Sequence, residues 1–234
     1  MLKHVLPGRR NLARFALVLS MALVLVIGCL TTSYAASAPK TLKSKVYSEV
    51  YKKGNTVYCS DGYSIYKVNT KTNSVKRLLK PKVANCNEFI VHGRYIYFTH
   101  GTLGVDSRLC RVRKFDGKYY KKMTKYMEIM GFGIKSSKLY YTYGTYVETA
   151  DGEEKTIKHT KRMTLLGKKK KTVRTAVKTK FKKTNAKGYK IIEKQSKDFE
   201  WMDTQAGYTT TYLRKPNGTK IKLGKYYGKN LSVD

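Results

Sequence analysis

Three carboxylates crowd the only tryptophan: Asp198, Glu200 and Asp203 surround Phe199, Trp201 and Met202. An indole flanked by acids suits a sugar-binding platform, and glycoside hydrolysis needs two carboxyls about 5 to 10 Å apart across a sugar. The same residues also suit an apolar plug whose acids offset nearby lysines, so Trp201, Asp198 and Glu200 stand as a candidate ligand platform and no residue is assigned a catalytic role. The histidines beyond the N-terminus, His92, His100 and His159, have no HExxH, nucleophile-elbow, phosphate-loop or calcium-loop pattern around them. Cys59, Cys86 and Cys110 form no Cys-x-x-Cys and have no histidine pair beside them. The expectation is therefore no metal, no cofactor, and three small apolar fillers rather than a disulfide framework.

The stronger chemical signal is charge. The chain of 234 residues carries 49 Lys plus Arg against 15 Asp plus Glu, a formal net charge of +34. Between Lys155 and Lys194, 16 basic residues face one acid, Glu193. The densest part is Lys168, Lys169, Lys170 and Lys171 with Arg174, followed by Lys178, Lys180, Lys182 and Lys183. These nine residues are the candidate polyanion-binding set. Lysine guards an edge strand equally well, which is the plain structural alternative. Of the basic residues 38 are Lys, a point charge rather than the planar fork that reads bases or phosphates bidentately. Diffuse attraction to an anionic cell-envelope polymer or a membrane surface is expected, and sequence-specific nucleic-acid recognition is not.

The N-terminus indicates which polymers the chain meets. Lys3, Arg9, Arg10 and Arg14 precede an apolar run from Phe15 to Leu30, and Ser33-Tyr34-Ala35-Ala36 follows. That is the profile of a secretory signal peptide, with cleavage expected between Ala35 and Ala36. Two alternatives stay open. Val26-Ile27-Gly28-Cys29 has the form of a lipobox, in which Cys29 is lipidated, and the apolar run could persist as an uncleaved anchor. In each case the remaining chain is extracytoplasmic.

What positions these groups is a repeat. A turn containing Gly or Ser leads into a short aromatic run, and two more runs follow. The leading runs start at Thr56, Tyr95, Lys138 and Tyr189. The intervals suit one small antiparallel sheet per copy. Within a run the side chains alternate, Ile96 and Phe98 on one face, Tyr95 and Tyr97 on the other, which is the period of a strand. Asp116-Gly117 and Asn217-Gly218 precede the last strand of their copies, where a tight hairpin needs positive φ. A preceding strand completes each unit, over Val46 to Tyr51, Glu88 to Val91 and Met127 to Ile134, with the fourth around Lys180 to Thr184. The fold class is all-β, a propeller-like array of about four antiparallel sheet repeats, an incomplete propeller being one form of it, after an N-terminal signal helix. The boundaries are 1–35 signal peptide, 36–44 linker, 45–228 repeat domain and 229–234 tail.

Asn55-Thr56-Val57-Tyr58, Ser64-Ile65-Tyr66-Lys67-Val68 and Arg113-Lys114-Phe115-Asp116-Gly117 resemble repeats of bacterial secreted β-propellers related to the YWTD propellers of lipoprotein receptors. The resemblance covers most of residues 45 to 224. The YWTD tetrapeptide itself is absent, and four copies stand where those relatives carry six blades, so a four-bladed ring, an incomplete array and two stacked sheets all remain open. Propeller geometry puts Cys86 by the first strand of its blade and Cys110 in the third. Two strand spacings separate them by roughly 9 to 10 Å, beyond the ~7 Å that a disulfide spans. The expected function is that of a secreted or surface-attached, non-enzymatic binding protein, with a glycan hydrolase at Trp201 or a structural docking module as the alternatives.

Overall fold

A computed structural model describes residues 40–79, 86, 88–196 and 208–227. The segment read as a signal peptide, with Cys29, Ala35 and Ala36, lies outside the described residues, and so do Asp198, Glu200 and Trp201. The described chain is all-β. Sixteen strands fall into four successive groups. The first is β1 (Thr41–Lys53), β2 (Thr56–Ser60), β3 (Ile65–Asn69) and β4 (Val75–Arg77). The second is β5 (Phe89–His92), β6 (Tyr95–Gly101), β7 (Ser107–Arg113) and β8 (Lys121–Lys122). The third is β9 (Glu128–Lys135), β10 (Lys138–Glu148), β11 (Glu154–Thr164) and β12 (Lys171–Thr172). The fourth is β13 (Ala176–Thr184), β14 (Lys190–Gln195), β15 (Tyr208–Arg214) and β16 (Lys220–Tyr227).

The first three groups pair antiparallel in sequence order, which is what short hairpins dictate. The first two groups are joined into one sheet at Tyr47 opposite Phe89, while the third stands as its own four-stranded sheet. The fourth group departs from the expected layout. Its first strand, β13, leaves β14 to β16 as a three-stranded sheet and runs parallel to β1. The register is Leu42 with Val177, Ser44 with Thr179 and Val46 with Phe181. Matched alternation on both strands explains the choice, since this pairing sets apolar and hydroxyl side chains in one column and lysines in the other. Strand β1 itself begins at Thr41, inside the segment read as linker.

The apolar residues lie between sheets. Tyr58, Ile65, Leu78, Phe89, Ile96, Phe98 and Val112 fill the seam of the first and second groups. Val46, Tyr97, Leu109, Ile129, Phe132, Leu139, Tyr141 and Met163 fill that of the second and third. Val50, Val57, Tyr66, Val68, Leu213 and Ile221 join the first to the fourth. Strand β6 shows why both faces of its run are aromatic or aliphatic: Ile96 and Phe98 belong to one seam, Tyr97 to the next. Among the described residues these three seams link four groups in the order fourth, first, second, third, and strand β13 stands near β9 where a fourth seam would be. Cys59, Cys86 and Cys110 are buried and free, and burial pushes all three thiols up, so they serve as fillers.

Two glycines set how closely β9 approaches the β1/β13 pair. A Cβ on Gly131 would lie 2.5 Å from the Thr179 hydroxyl oxygen, and one on Gly133 would lie 2.6 Å from Cβ of Ser44. Gly133→Ala should therefore lower folding stability by about 1 to 3 kcal/mol, the usual range for overpacking, as read by chemical denaturation. The β9/β10 turn carries the opposite defect. Ser136 and Ser137 both hold left-handed φ, 46° and 54°, in a two-residue hairpin that favours Asn-Gly. Ser137→Gly should raise stability by about 0.5 to 1 kcal/mol in the same measurement, because the side chain's steric cost in that region disappears.

Candidate anion-binding face

Parallel pairing of β1 and β13 fixes the position of five cations. Lys43 lies beside Lys178 and Lys45 beside Lys180, while Lys182 follows next to Tyr47. All five lysines are exposed. The intervening column, Leu42, Ser44 and Val46 with Val177 and Thr179, turns inward towards β9: Thr179 donates to the Phe132 carbonyl and Ser44 meets Gly133. Adjacent strands stand about 4.8 Å apart, so each lysine pair places two like charges side by side, an arrangement that opposes folding. Similar rows recur. Lys190, Arg214 and Lys220 align across β14, β15 and β16, Arg162 faces Lys171, and Lys67 faces Lys76.

The nine residues singled out in the sequence are all exposed, but the structure divides them. Lys168 to Lys170 lie in the β11/β12 connection, where Lys169 holds a φ of 53°, and Lys171 opens β12 at the outer edge of the third group's sheet. Arg174 lies on the link from β12 to β13. Lys178, Lys180 and Lys182 share the outward column of β13, whereas Lys183 departs from it and lies 3.6 Å from Glu49. The sequence reading missed Lys43 and Lys45, which no local pattern connects with a strand some 130 residues later. Alternation of Lys and small or apolar residues in both segments was the available signal.

Elsewhere aromatic faces take up positive charge alongside the few acids, Arg113 meeting both the Tyr119 ring and Asp116. Arg108 lies 4.2 Å from the Tyr126 ring centre, Arg111 4.3 Å from that of Tyr95, Arg113 4.5 Å from that of Tyr119, and Lys225 3.8 Å from that of Tyr208. Four acids, Glu49, Asp61, Glu88 and Glu193, line a cavity of about 430 Å³ together with Ser48, Ser60, Gly62 and Ile191. Asp61 acts there as a strut. One carboxylate oxygen accepts the amides of Tyr63 and Ser64, at 3.0 and 2.7 Å; the other accepts the Tyr66 hydroxyl at 3.0 Å and the Thr211 hydroxyl at 3.4 Å. The Tyr66 hydroxyl also meets that of Tyr226, and burial, then the charge of Asp61, hold it far above an ordinary phenol. A carboxylate with these donors ties the first group to the fourth. Of the histidines, His100 contacts Arg108 and His159 contacts Thr145, while His92 is exposed at the end of β5. Among the described residues no set of three His, Cys, Asp or Glu is placed to hold a metal.

No family model matches the sequence, and no curated protein matches it. Solved structures similar to the chain include the crystal structure of the tricorn protease, with a TM-score of 0.42 and 10% identity over 76% of this chain and 22% of that one. A nidogen/laminin complex is also similar, with a TM-score of 0.33 and 9% identity over 77% of this chain and 79% of that one. The chain thus spans about a fifth of the tricorn protease chain. The fold class stated above rests on strand order and register.

One acid of the cavity carries a pH signature. Burial raises the Glu88 carboxyl above its ordinary range, and the Thr99 hydroxyl, 2.8 Å away, pulls the other way. A carboxyl raised in the folded state binds its proton more tightly there than in the unfolded chain, so its contribution to stability declines as pH rises through the folded value. Glu88→Gln keeps an oxygen acceptor for Thr99 and removes the buried charge. It should raise Tm at pH 7, and the gain should vanish below the ordinary glutamate range near pH 4, as followed by thermal melts across pH.

Proposed function

We propose that this protein works outside the cytoplasm as a non-enzymatic binding module that holds an anionic polymer or surface of the cell envelope through its basic face. The observation that supports this most directly is the set of cross-strand cation rows, with Lys43 beside Lys178 and Lys45 beside Lys180 at its centre. Like charges set opposite one another weaken a sheet. An anion bridging each pair turns that repulsion into attraction and releases bound counterions, so affinity comes from many weak, salt-sensitive contacts. The export signature, Lys3, Arg9, Arg10 and Arg14 before the apolar run, supports the location. Among the described residues no helix is long and apolar enough to cross a membrane.

The predominance of lysine supports a recogniser of charge density rather than of sequence. Purified cell wall, with and without its anionic polymer, should pull the protein down in a graded way. Capture should fall steeply between about 0.05 and 0.5 M salt and drop when the polymer is stripped. Capture that is indifferent to salt and to stripping would overturn the proposal.

A further inference from the structure

We propose that the β1/β13 ladder binds a phosphodiester-linked polyol with three carbons between successive phosphates, laid along the strands so that each phosphate meets one lysine pair. This rests on the polyanion reading above and specifies its ligand. Spacing carries the argument. Successive outward residues on a strand lie about 6.6 Å apart, so the Lys43/Lys178 and Lys45/Lys180 rows repeat on that distance, with Lys182 one step further. An extended peptide covers roughly 3.3 to 3.6 Å with its three backbone bonds, so the six bonds of P–O–C–C–C–O–P cover roughly 6.6 to 7 Å. By the same measure a five-carbon bridge, with eight bonds, repeats at roughly 9 Å, and a chain of directly linked phosphates, with two, at roughly 2 Å. Of these, the three-carbon chain stays in step with the strand.

The chemistry of the ladder agrees. Its first two rows hold only lysines; in the third, Tyr47 stands beside Lys182 and packs against the seam of the first and second groups, and Phe181, half-exposed, stands next to Val46 in the alternating column. Nothing in the first two rows offers a ring for a base to stack on, which is what single-stranded nucleic acid, with the same six-bond repeat, gains from its binders. A polyol chain needs no such platform. The lysines on each side of the strand pair meet the two free oxygens of a phosphodiester as separate point charges.

The test uses the full-length protein and labelled oligomers carrying equal numbers of phosphates: a glycerol phosphate chain, a ribitol phosphate chain and oligo-dT. The ladder variant is Lys43→Gln, Lys45→Gln, Lys178→Gln and Lys180→Gln. The control removes four exposed charges that stand outside every cation row, by Lys71→Gln, Lys118→Gln, Lys125→Gln and Lys187→Gln. Fluorescence anisotropy over a salt series should show the glycerol chain bound several-fold tighter than the ribitol chain. The ladder variant should lose about tenfold or more of that affinity and about 3 from the log–log salt slope, taking about 0.7 per neutralised contact, while the control loses less than about threefold. Should the fourfold variant melt below the wild type, Lys45→Gln and Lys180→Gln singly should show the same ordering. Equal losses in ladder and control variants would overturn the ladder and leave the polyanion proposal standing. Oligo-dT binding as tightly as the glycerol chain would overturn the choice of ligand. Failure of every oligomer to bind in a salt-sensitive way would overturn both proposals.

Discussion

Strand β1 spends both edges of its backbone, and the rest of the molecule is arranged by that commitment. On one edge it pairs with β2 from Val50 to Lys53 and touches β5 at Tyr47; on the other it runs beside β13 from Thr41 to Val50. Where β13 ends, Asn185 continues the ladder with its side chain: its carbonyl oxygen accepts the Lys52 amide at 2.7 Å and its NH2 donates to the Lys52 carbonyl at 3.0 Å. These two bonds satisfy the backbone groups that a further residue of β13 would otherwise meet. Since β9 also packs on this strand pair through Gly131 and Gly133, one segment touches all four groups, and the three apolar seams diverge from it.

Charge is the second constraint, and the structure handles it in three ways. Four acids, Glu49, Asp61, Glu88 and Glu193, share one cavity, where Asp61 holds two groups together. Tyrosine rings cover guanidinium and ammonium groups along the second and fourth groups, which accounts for part of the high tyrosine content. The remaining lysines stand outward in rows. A sheet built for stability alone would break those rows with acids, and the sequence has few to spend: Asp116 is taken by Arg113, which holds its carboxyl far below the usual range, and Glu49 by Lys183.

Hairpins were legible in the sequence because their determinants are local. Gly54, Gly93, Gly117 and Gly218 all hold positive φ at turns marked by their neighbours, and the leading strands begin at Thr56, Tyr95, Lys138 and Lys190 against an expected 56, 95, 138 and 189. Alternation at Tyr95 to Phe98 foretold which residues share a face, though not that both faces would be covered. The partner of β13 was not legible, because a parallel pair needs no turn and leaves no mark between its strands. For the same reason the sequence pointed to the exposed run of Lys168 to Lys171, visible on its own, and passed over Lys43 and Lys45, whose significance depends on a neighbour supplied from the far end of the chain.

That long-range pairing also orders events in time. Thr41 and its partner Ala176 are 135 positions apart, so during synthesis the far edge of β1 exists well before the strand that will cover it. Contacts of such separation form late and slowly. In the interval the nascent chain displays an open edge, the usual invitation to intermolecular association, and Lys43 and Lys45 supply the charge that discourages it. The two lysines thus serve the immature chain as a guard before β13 arrives to complete the row.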